Sequence, residues 1–274
     1  GAVAAARSAR AQPRTWQLTR PLRLVVPSVP GSTPDLVCRL LAEALRPALP
    51  QPVIVENRPG GWGTIGLLEV VRAAPDGHTL GYANVVTLAI NATLLPSQPY
   101  VAERDLAPVA LMGFVPNALV VRPGLPVDDV AGLVALLRAA PGRLTYGSPG
   151  NATTGHLSGE LFRTMTGTEM LHVPYRGSPQ AMQALAAGEV DLVFDNISSV
   201  EQAVGQGLAR PLAVAGARRS PRFPEVPTLQ EAGLAGYEAT AWGGLVAAAA
   251  TPSDAIAALH DAVATALAST ALRA

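Results

Sequence analysis

The chain has 274 residues, 49% of them hydrophobic and 15% charged, and its 20 basic and 20 acidic side chains leave a formal net charge of zero. That length suits two domains of about 100–150 residues each, and the balanced charge provides no basic field, so no nucleic-acid partner is expected. All basic residues are arginine, which removes Schiff-base lysine chemistry; Cys38 stands alone, which excludes an intramolecular disulfide or a Cys-based metal site; and no apolar run approaches the ~18–20 residues of a membrane span.

At the N-terminus, the apolar stretch Ala2 to Ala6 and the triplet Ala9-Arg10-Ala11 have the small-x-small form of a signal-peptidase site, with Gln12 as the first mature residue. Export is one expectation and a disordered Ala/Arg tail the other, and residues 1–18 are set aside as leader remnant or flexible tail. LRLVVP (22–27) predicts a buried strand, followed by a loop. Thr33 as N-cap, Pro34 and Asp35 then open a helix with Leu36, Val37, Leu40, Leu41 and Leu45 as its apolar face. PVIV (52–55) predicts a strand, 64–74 a helix, and 79–83 a strand after the turn Pro75-Asp76-Gly77. Strands alternating with helices imply a mostly parallel sheet covered on both faces.

The pattern restarts with a strand at 117–123, a helix at 127–140, and a strand, loop and helix over 144–162 whose apolar positions are Leu157, Leu161, Phe162 and Met165. Ser178-Pro179 opens a helix that Gly188 ends, 190–194 is a strand running into Asp195-Asn196, and 212–216 is another. GGLVAAA (243–249) predicts a strand returning to the first domain, and 253–272 a final Ala-rich helix. The expected division is 19–116 plus 242–274 for domain 1 and 117–241 for domain 2.

Open α/β sheets bind ligands beyond the carboxyl ends of their parallel strands, where helix N-termini present unpaired N–H groups and a positive dipole end. Two loops occupy such positions, Pro30-Gly31-Ser32-Thr33 and Ser148-Pro149-Gly150-Asn151-Ala152-Thr153-Thr154. Their small side chains let the backbone approach a carboxylate, and their hydroxyls can add hydrogen bonds. Singly, each reads equally as a helix cap; paired, one per domain, they suggest a two-sided clamp. Arg176 is the best-placed cation and Tyr175 a candidate ring contact, while Asp195 and Asn196 either accept from a ligand or cap a turn.

Other chemistry has weaker support. Gly61, Gly63 and Gly66 match the dinucleotide fingerprint in spacing, but five residues separate them from the preceding strand and no acidic residue ends the next one, so no cofactor is expected. His78, His156, His172 and His260 have neither metal-helix nor triad spacing. The rival function is a small-molecule hydrolase using His156 with Ser148 or Ser158.

The segments LRLVVPSVPGSTPD (22–35), PVIVENRPGG (52–61), AAPDGHTL (73–80), LAIN (88–91), YGSPGNATTGHLSGELF (146–162), HVPYRGS (172–178), GEVDLVFDN (188–196) and RSPRFPEVPTLQEAG (219–233) occur in order. On these the chain resembles the Bug family, the substrate-binding components of tripartite tricarboxylate transporters, from about Thr19 onward. The resemblance implies a two-domain periplasmic-binding-protein type II clamp with a central cleft. It further implies a small carboxylate ligand, no catalysis, a periplasmic monomer, and membrane permease subunits as partners, with docking of the loaded form on a membrane sensor as the alternative output. Carried over by position, the implied ligand loops are Ser28 to Thr33, Asn84 to Thr87 (Asn84, Val85, Val86 and Thr87), Ser148 to Thr154, Tyr175 to Ser178, and Asp195 with Asn196. Ser28, Val29 and Gly31-Ser32 depart from the family pattern of a bulky residue, Pro and Gly-Gly, which bears on specificity.

Overall fold

The computed structural model of the chain describes residues 16–269, so the leader expected in residues 1–15 and the helix expected over 270–272 lie outside the described residues. Residues 16–18, grouped with the tail by sequence, are docked instead. The Trp16 indole N–H donates to the Asp76 carbonyl at 2.7 Å, its ring tilts against His78, and Leu18 is buried.

In chain order the elements are β1 (Leu22–Val26), α1 (Thr33–Leu45), β2 (Val53–Asn57), α2 (Thr64–Val71), β3 (Thr79–Asn84), α3 (Asn91–Leu94), α4 (Ala102–Asp105), β4 (Leu106–Val121), α5 (Val130–Ala139), β5 (Thr145–Ser148), α6 (Thr154–Thr166), β6 (Leu171–Pro174), α7 (Ser178–Ala187), β7 (Leu192–Asn196), α8 (Ile197–Gly205), β8 (Arg210–Val214), β9 (Thr240–Ala248) and α9 (Ser253–Ala268). A 3-10 turn over Gly61–Gly63 leads into α2, and a π-helical turn over Val86–Ile90 leads into α3.

The strands make a mixed sheet in the order β2-β1-β3-β9-β4-β7-β5-β6, with β8 also on β4. β1 runs parallel to β2 and β3, and β5 parallel to β6 and β7, so the expected parallel arrangement occurs twice. The antiparallel pair β4–β9 joins the two halves. Leu106 to Pro116 of β4 pair with β9, whereas from Asn117 onward the same strand pairs with β7, and from Ala118 also with β8. Sequence patterning marks only its last stretch, because Pro108, Gly113 and Pro116 read as strand breakers. They are accommodated where the ladder is already irregular, with register shifts between Pro108 and Ala110 and between Leu111 and Gly113.

Each half has its own apolar core. Leu22, Leu24, Cys38, Leu41, Leu80 and Leu259 pack together in the first, and Leu119, Val121, Leu133, Tyr146, Phe162 and Phe194 in the second. Burial pushes the Cys38 thiol well above its usual range, leaving it an inert packing group. Helix α9 returns to the first half, with Leu259 and Val263 in its core.

Two helix faces differ from expectation. On α1 the buried positions are Thr33, Asp35, Cys38, Leu41, Ala42 and Leu45, while Leu36 and Leu40 are exposed; on α6 they are Gly155, Ser158, Gly159, Phe162 and Thr166, while Leu157 and Met165 are exposed. The small-residue face of α6 is selected by close approach: a Cβ on Gly155 would sit 2.3 Å from the Phe194 carbonyl oxygen, and one on Gly159 2.3 Å from the Tyr146 ring. The cap of α1 also shifts by one residue, to Ser32, which leaves Thr33 as the first helical residue.

Candidate ligand-binding cleft

The loops after β1, β3, β5, β6 and β7, together with β9, enclose a cavity of ≈ 580 Å³ between the two halves of the sheet. Apart from β9, these strands present their carboxyl ends to it, the position where α/β sheets bind ligands. Of the residues selected from sequence, Ser28, Ser32, Thr33, Asn84, Val85, Thr87, Gly150, Asn151, Thr153, Thr154, Tyr175, Arg176, Asp195 and Asn196 line this cavity; Pro30, Gly31, Ser148 and Ala152 do not.

Three of those four shape the loops from behind. The Gly31 N–H donates to Asp35 Oδ2 at 2.9 Å within a turn of φ +78°, so it is committed inside the protein. Ser148 is fully buried, its hydroxyl 2.7 Å from His172 Nε2 and its oxygen accepting from the Gly150 N–H. Ala152 is buried at φ 61°, with its N–H donating to His156 Nδ1 at 3.1 Å.

The N-termini of α1, α6 and α7 converge on the cavity through Thr33, Thr154 and Ser178. Each begins where its sequence dictates: Pro34 and Pro179 hold the first turns of α1 and α7, and the Thr153 hydroxyl accepts from the His156 N–H to cap α6. The backbone N–H groups of Thr33, Thr154 and Ser178 find no acceptor among the described residues. Three sets of helix-terminal donors and three dipole ends thus face one space, a strong preference for an anion. The Arg176 guanidinium forms no ion pair among the described residues and lines the same cavity.

Asp195 is the penultimate residue of β7, at the cavity wall, and is 2% exposed. Its Oδ1 accepts from the Asn196 N–H at 2.7 Å, while its Oδ2 and the Asn196 Oδ1 are buried without a partner. Burial lifts the Asp195 carboxyl to about 7, with the nearby Ser178 side chain and then the Asn196 N–H pulling the other way.

Behind the second loop, His156 and His172 stack with ring centroids 4.2 Å apart, and His172 stacks in turn on Tyr146. Burial holds both imidazoles below the usual histidine range, His172 down to about 4, where the neighbouring His156 also opposes a second charge. The hydrolase arrangement considered from sequence does not form. No hydrogen bond joins His156 to either serine; Ser148 pairs with His172 at zero exposure and outside the cavity, and Ser158 is closed off 2.8 Å from the Tyr237 hydroxyl. Among the described residues no cluster of His, Cys, Asp and Glu could hold a metal ion.

Sequence reasoning missed Trp62, Tyr82, Val115 and Trp242, all of which line the cavity. Trp62 sits inside the Gly61–Gly63 turn, at the glycines that mimic a dinucleotide fingerprint. Gly66 is there for close packing, since a Cβ would meet the Arg58 carbonyl and Pro27 at 2.9 Å.

The cavity is closed on one side by contact between the halves: the Thr33 hydroxyl lies 2.9 Å from that of Ser198 and 2.8 Å from that of Ser199. Residues 37–274 match the family described as the tripartite tricarboxylate transporter family receptor. The chain belongs to that family.

Relatives agree with the match. A UPF0065 protein of Pseudomonas sp. strain P51 is 38% identical over 246 residues, covering 89% of this receptor and 73% of that protein. BugT of Bordetella pertussis is 37% identical over 229 residues, 83% of this chain and 70% of its own. Among solved structures, Rpa4515 of R. palustris with adipate superposes with a TM-score of 0.90 at 38% identity, covering 93% of this receptor and 85% of that chain. MatC of Rhodopseudomonas palustris with bound malate gives 0.86 at 33% identity (93% and 87%), and the periplasmic binding protein BugD 0.88 at 30% (93% and 85%). Among the described residues no helix is long and apolar enough to cross a membrane.

Proposed function

We propose that this receptor captures a small organic carboxylate in the periplasm, between lobes formed by residues 19–116 plus 242–274 and by 117–241, and delivers it unchanged to the membrane subunits of a tripartite tricarboxylate transporter. The observation that carries this reading is the convergence of three helix N-termini with unpartnered N–H groups, and the unpaired Arg176, on one cavity. Charge-assisted hydrogen bonds from such donors to a desolvated carboxylate are the strong class of polar contact. Adipate in Rpa4515 and malate in MatC support the ligand class. The family supports the transporter partner, and the periplasmic relatives support the location. The lobes would act as a monomeric clamp, moving about β4 near Pro116 and β9 near Trp242, where the sheet changes partners.

Absence of catalysis rests on burial. The serine that does meet an imidazole, Ser148, is fully buried and does not line the cavity, so it is not presented to a substrate carbonyl there.

A thermal-shift screen against mono-, di- and tricarboxylates tests the reading. A ligand at about 100 times its Kd adds about 2.7 kcal/mol of stability, so a carboxylate that leaves the melting temperature unmoved at millimolar concentration is not bound. Gly150→Val should abolish the shift while the unliganded protein still melts cooperatively. Gly150 has φ +139°, and a Cβ there would press on the Tyr175 carbonyl at 3.2 Å. A full-sized shift in that variant would remove the second loop from the site.

A further inference from the structure

We propose that the ligand of this cleft is an aromatic monocarboxylate, held by its single carboxylate at the helix N-termini and Arg176 and by its ring between Trp62, Tyr82 and Trp242. The proposal rests on the carboxylate-capture reading and narrows it to one chemical class.

The first observation is the charge inventory. Arg176 and Asp195 are the only Arg, Asp or Glu side chains among the lining residues, so the cavity offers one cation and one acidic group. One carboxylate is matched by Arg176. A second would meet the wall formed by Trp62, Tyr82, Val115 and Trp242, which carries no cation. Desolvating a carboxylate without a partner is strongly unfavourable.

The second observation is where the apolar wall comes from. The helix-terminal donors belong to α1, α6 and α7, whereas Trp62 stands in the turn after β2, Tyr82 on β3, Val115 on β4 and Trp242 on β9. None of these latter elements contributes a charged residue to the lining. Two of the chain's three tryptophans therefore face one space. The lining is amphipathic by element, and a ring with a carboxylate at one end has the matching polarity. A volume of ≈ 580 Å³ accommodates such a molecule.

The backbone shows that the rings are placed there at a cost. Trp62 adopts φ 56°, the left-handed region that glycine favours, with its carbonyl fixed by the Asn91 amide at 2.9 Å. Its side chain remains 40% exposed at the cavity, so folding does not consume its apolar surface. Gly243 leaves room for Tyr82, since a Cβ there would sit 2.0 Å from the Tyr82 hydroxyl. A non-glycine residue strained in this way beside a ligand space is a positioning feature.

Isothermal titration of the purified receptor with benzoate, phenylacetate, adipate, malate and citrate decides the matter. The expected result is that an aryl monocarboxylate binds at least about tenfold tighter than any of the three aliphatic acids and quenches tryptophan fluorescence. Trp242→Ala and Trp62→Ala should each weaken aryl binding by about tenfold, and Trp242→Phe and Trp62→Phe should restore most of it, which separates loss of a ring contact from misfolding. Adipate, malate or citrate binding as tightly as the aryl acids overturns the aromatic class and leaves carboxylate capture standing. No binding by any of the five overturns both.

Discussion

Asp195 carries the most consequential single charge in the cleft. Its carboxyl titrates at about 7 in the fold against 3.8 in a free chain, because burial disfavours the anion. The native state therefore binds more protons than the unfolded one across that interval. Its contribution to stability is full below 3.8 and is lost as pH rises through about 7. Asp195→Asn keeps the shape and removes the titration. Thermal melts should show this variant more stable than the parent at about pH 8 and little changed at about pH 4; equal melting temperatures at the higher pH would mean that the carboxyl is not desolvated. The sequence marked Asp195 as a strand-end residue with two equal readings. Its burial and the orphaned Oδ2 depend on Asn196 and on the packing of α7 and α8, which no local pattern contains.

Among elements, the loop between β5 and α6 combines readable and hidden features. Its glycine, its threonine cap and its place after a strand are legible in SPGNATT, but the stacked His156–His172 pair behind it joins residues of α6 and β6 that sequence spacing does not relate. His172 in the fold titrates near 4 against 6.5 unfolded, so the unfolded chain binds the extra proton between those values. Stability is present above 6.5 and is lost as pH falls through about 4, the opposite slope from Asp195. Glu160 works against this loss, and its own charge is shared with Arg163 and the Tyr146 hydroxyl. His172→Gln should flatten the acid side of the melting curve, and an unchanged slope between about pH 6 and 4 would assign the loss to other groups. The faces of α1 and α6 teach a related lesson. Counting leucines places only part of each face: Leu41, Leu45 and Phe162 are inward as expected, whereas Leu36, Leu40 and Leu157 are outside, on α6 because Gly155 and Gly159 make the close approach.

Across the whole molecule, the contact of Thr33 with Ser198 and Ser199 is a hydrogen-bonded link between the two halves of the sheet beside the cleft. It joins the first turn of α1 to the first turn of α8, so it exists only when the halves are close. Thr33→Val removes the hydroxyl and keeps the volume. Small-angle scattering of the unliganded variant should report a larger radius of gyration than the parent, and carboxylate affinity should fall by about threefold to tenfold as the closed form loses population. An identical scattering curve together with unchanged affinity would show that the link is incidental.

The sequence by itself determined the alternation of strands and helices, the punctuation by proline and glycine at helix starts and ends, and the two small-residue loops at strand ends. Each of these follows from local backbone preference or from a short apolar period. Tertiary structure alone decided which strands pass through both halves, which helix faces are inward, and which loop residues reach the cavity. It left Thr33, Thr154 and Ser178 with free donors while tying the Gly31 N–H to Asp35, and it brought Trp62, Tyr82 and Trp242 from three distant segments to one wall. The physical reason is that hydrogen-bond satisfaction and burial are settled by neighbours in space, and the lining of this cleft draws on positions as far apart in the chain as Pro27 and Gly243.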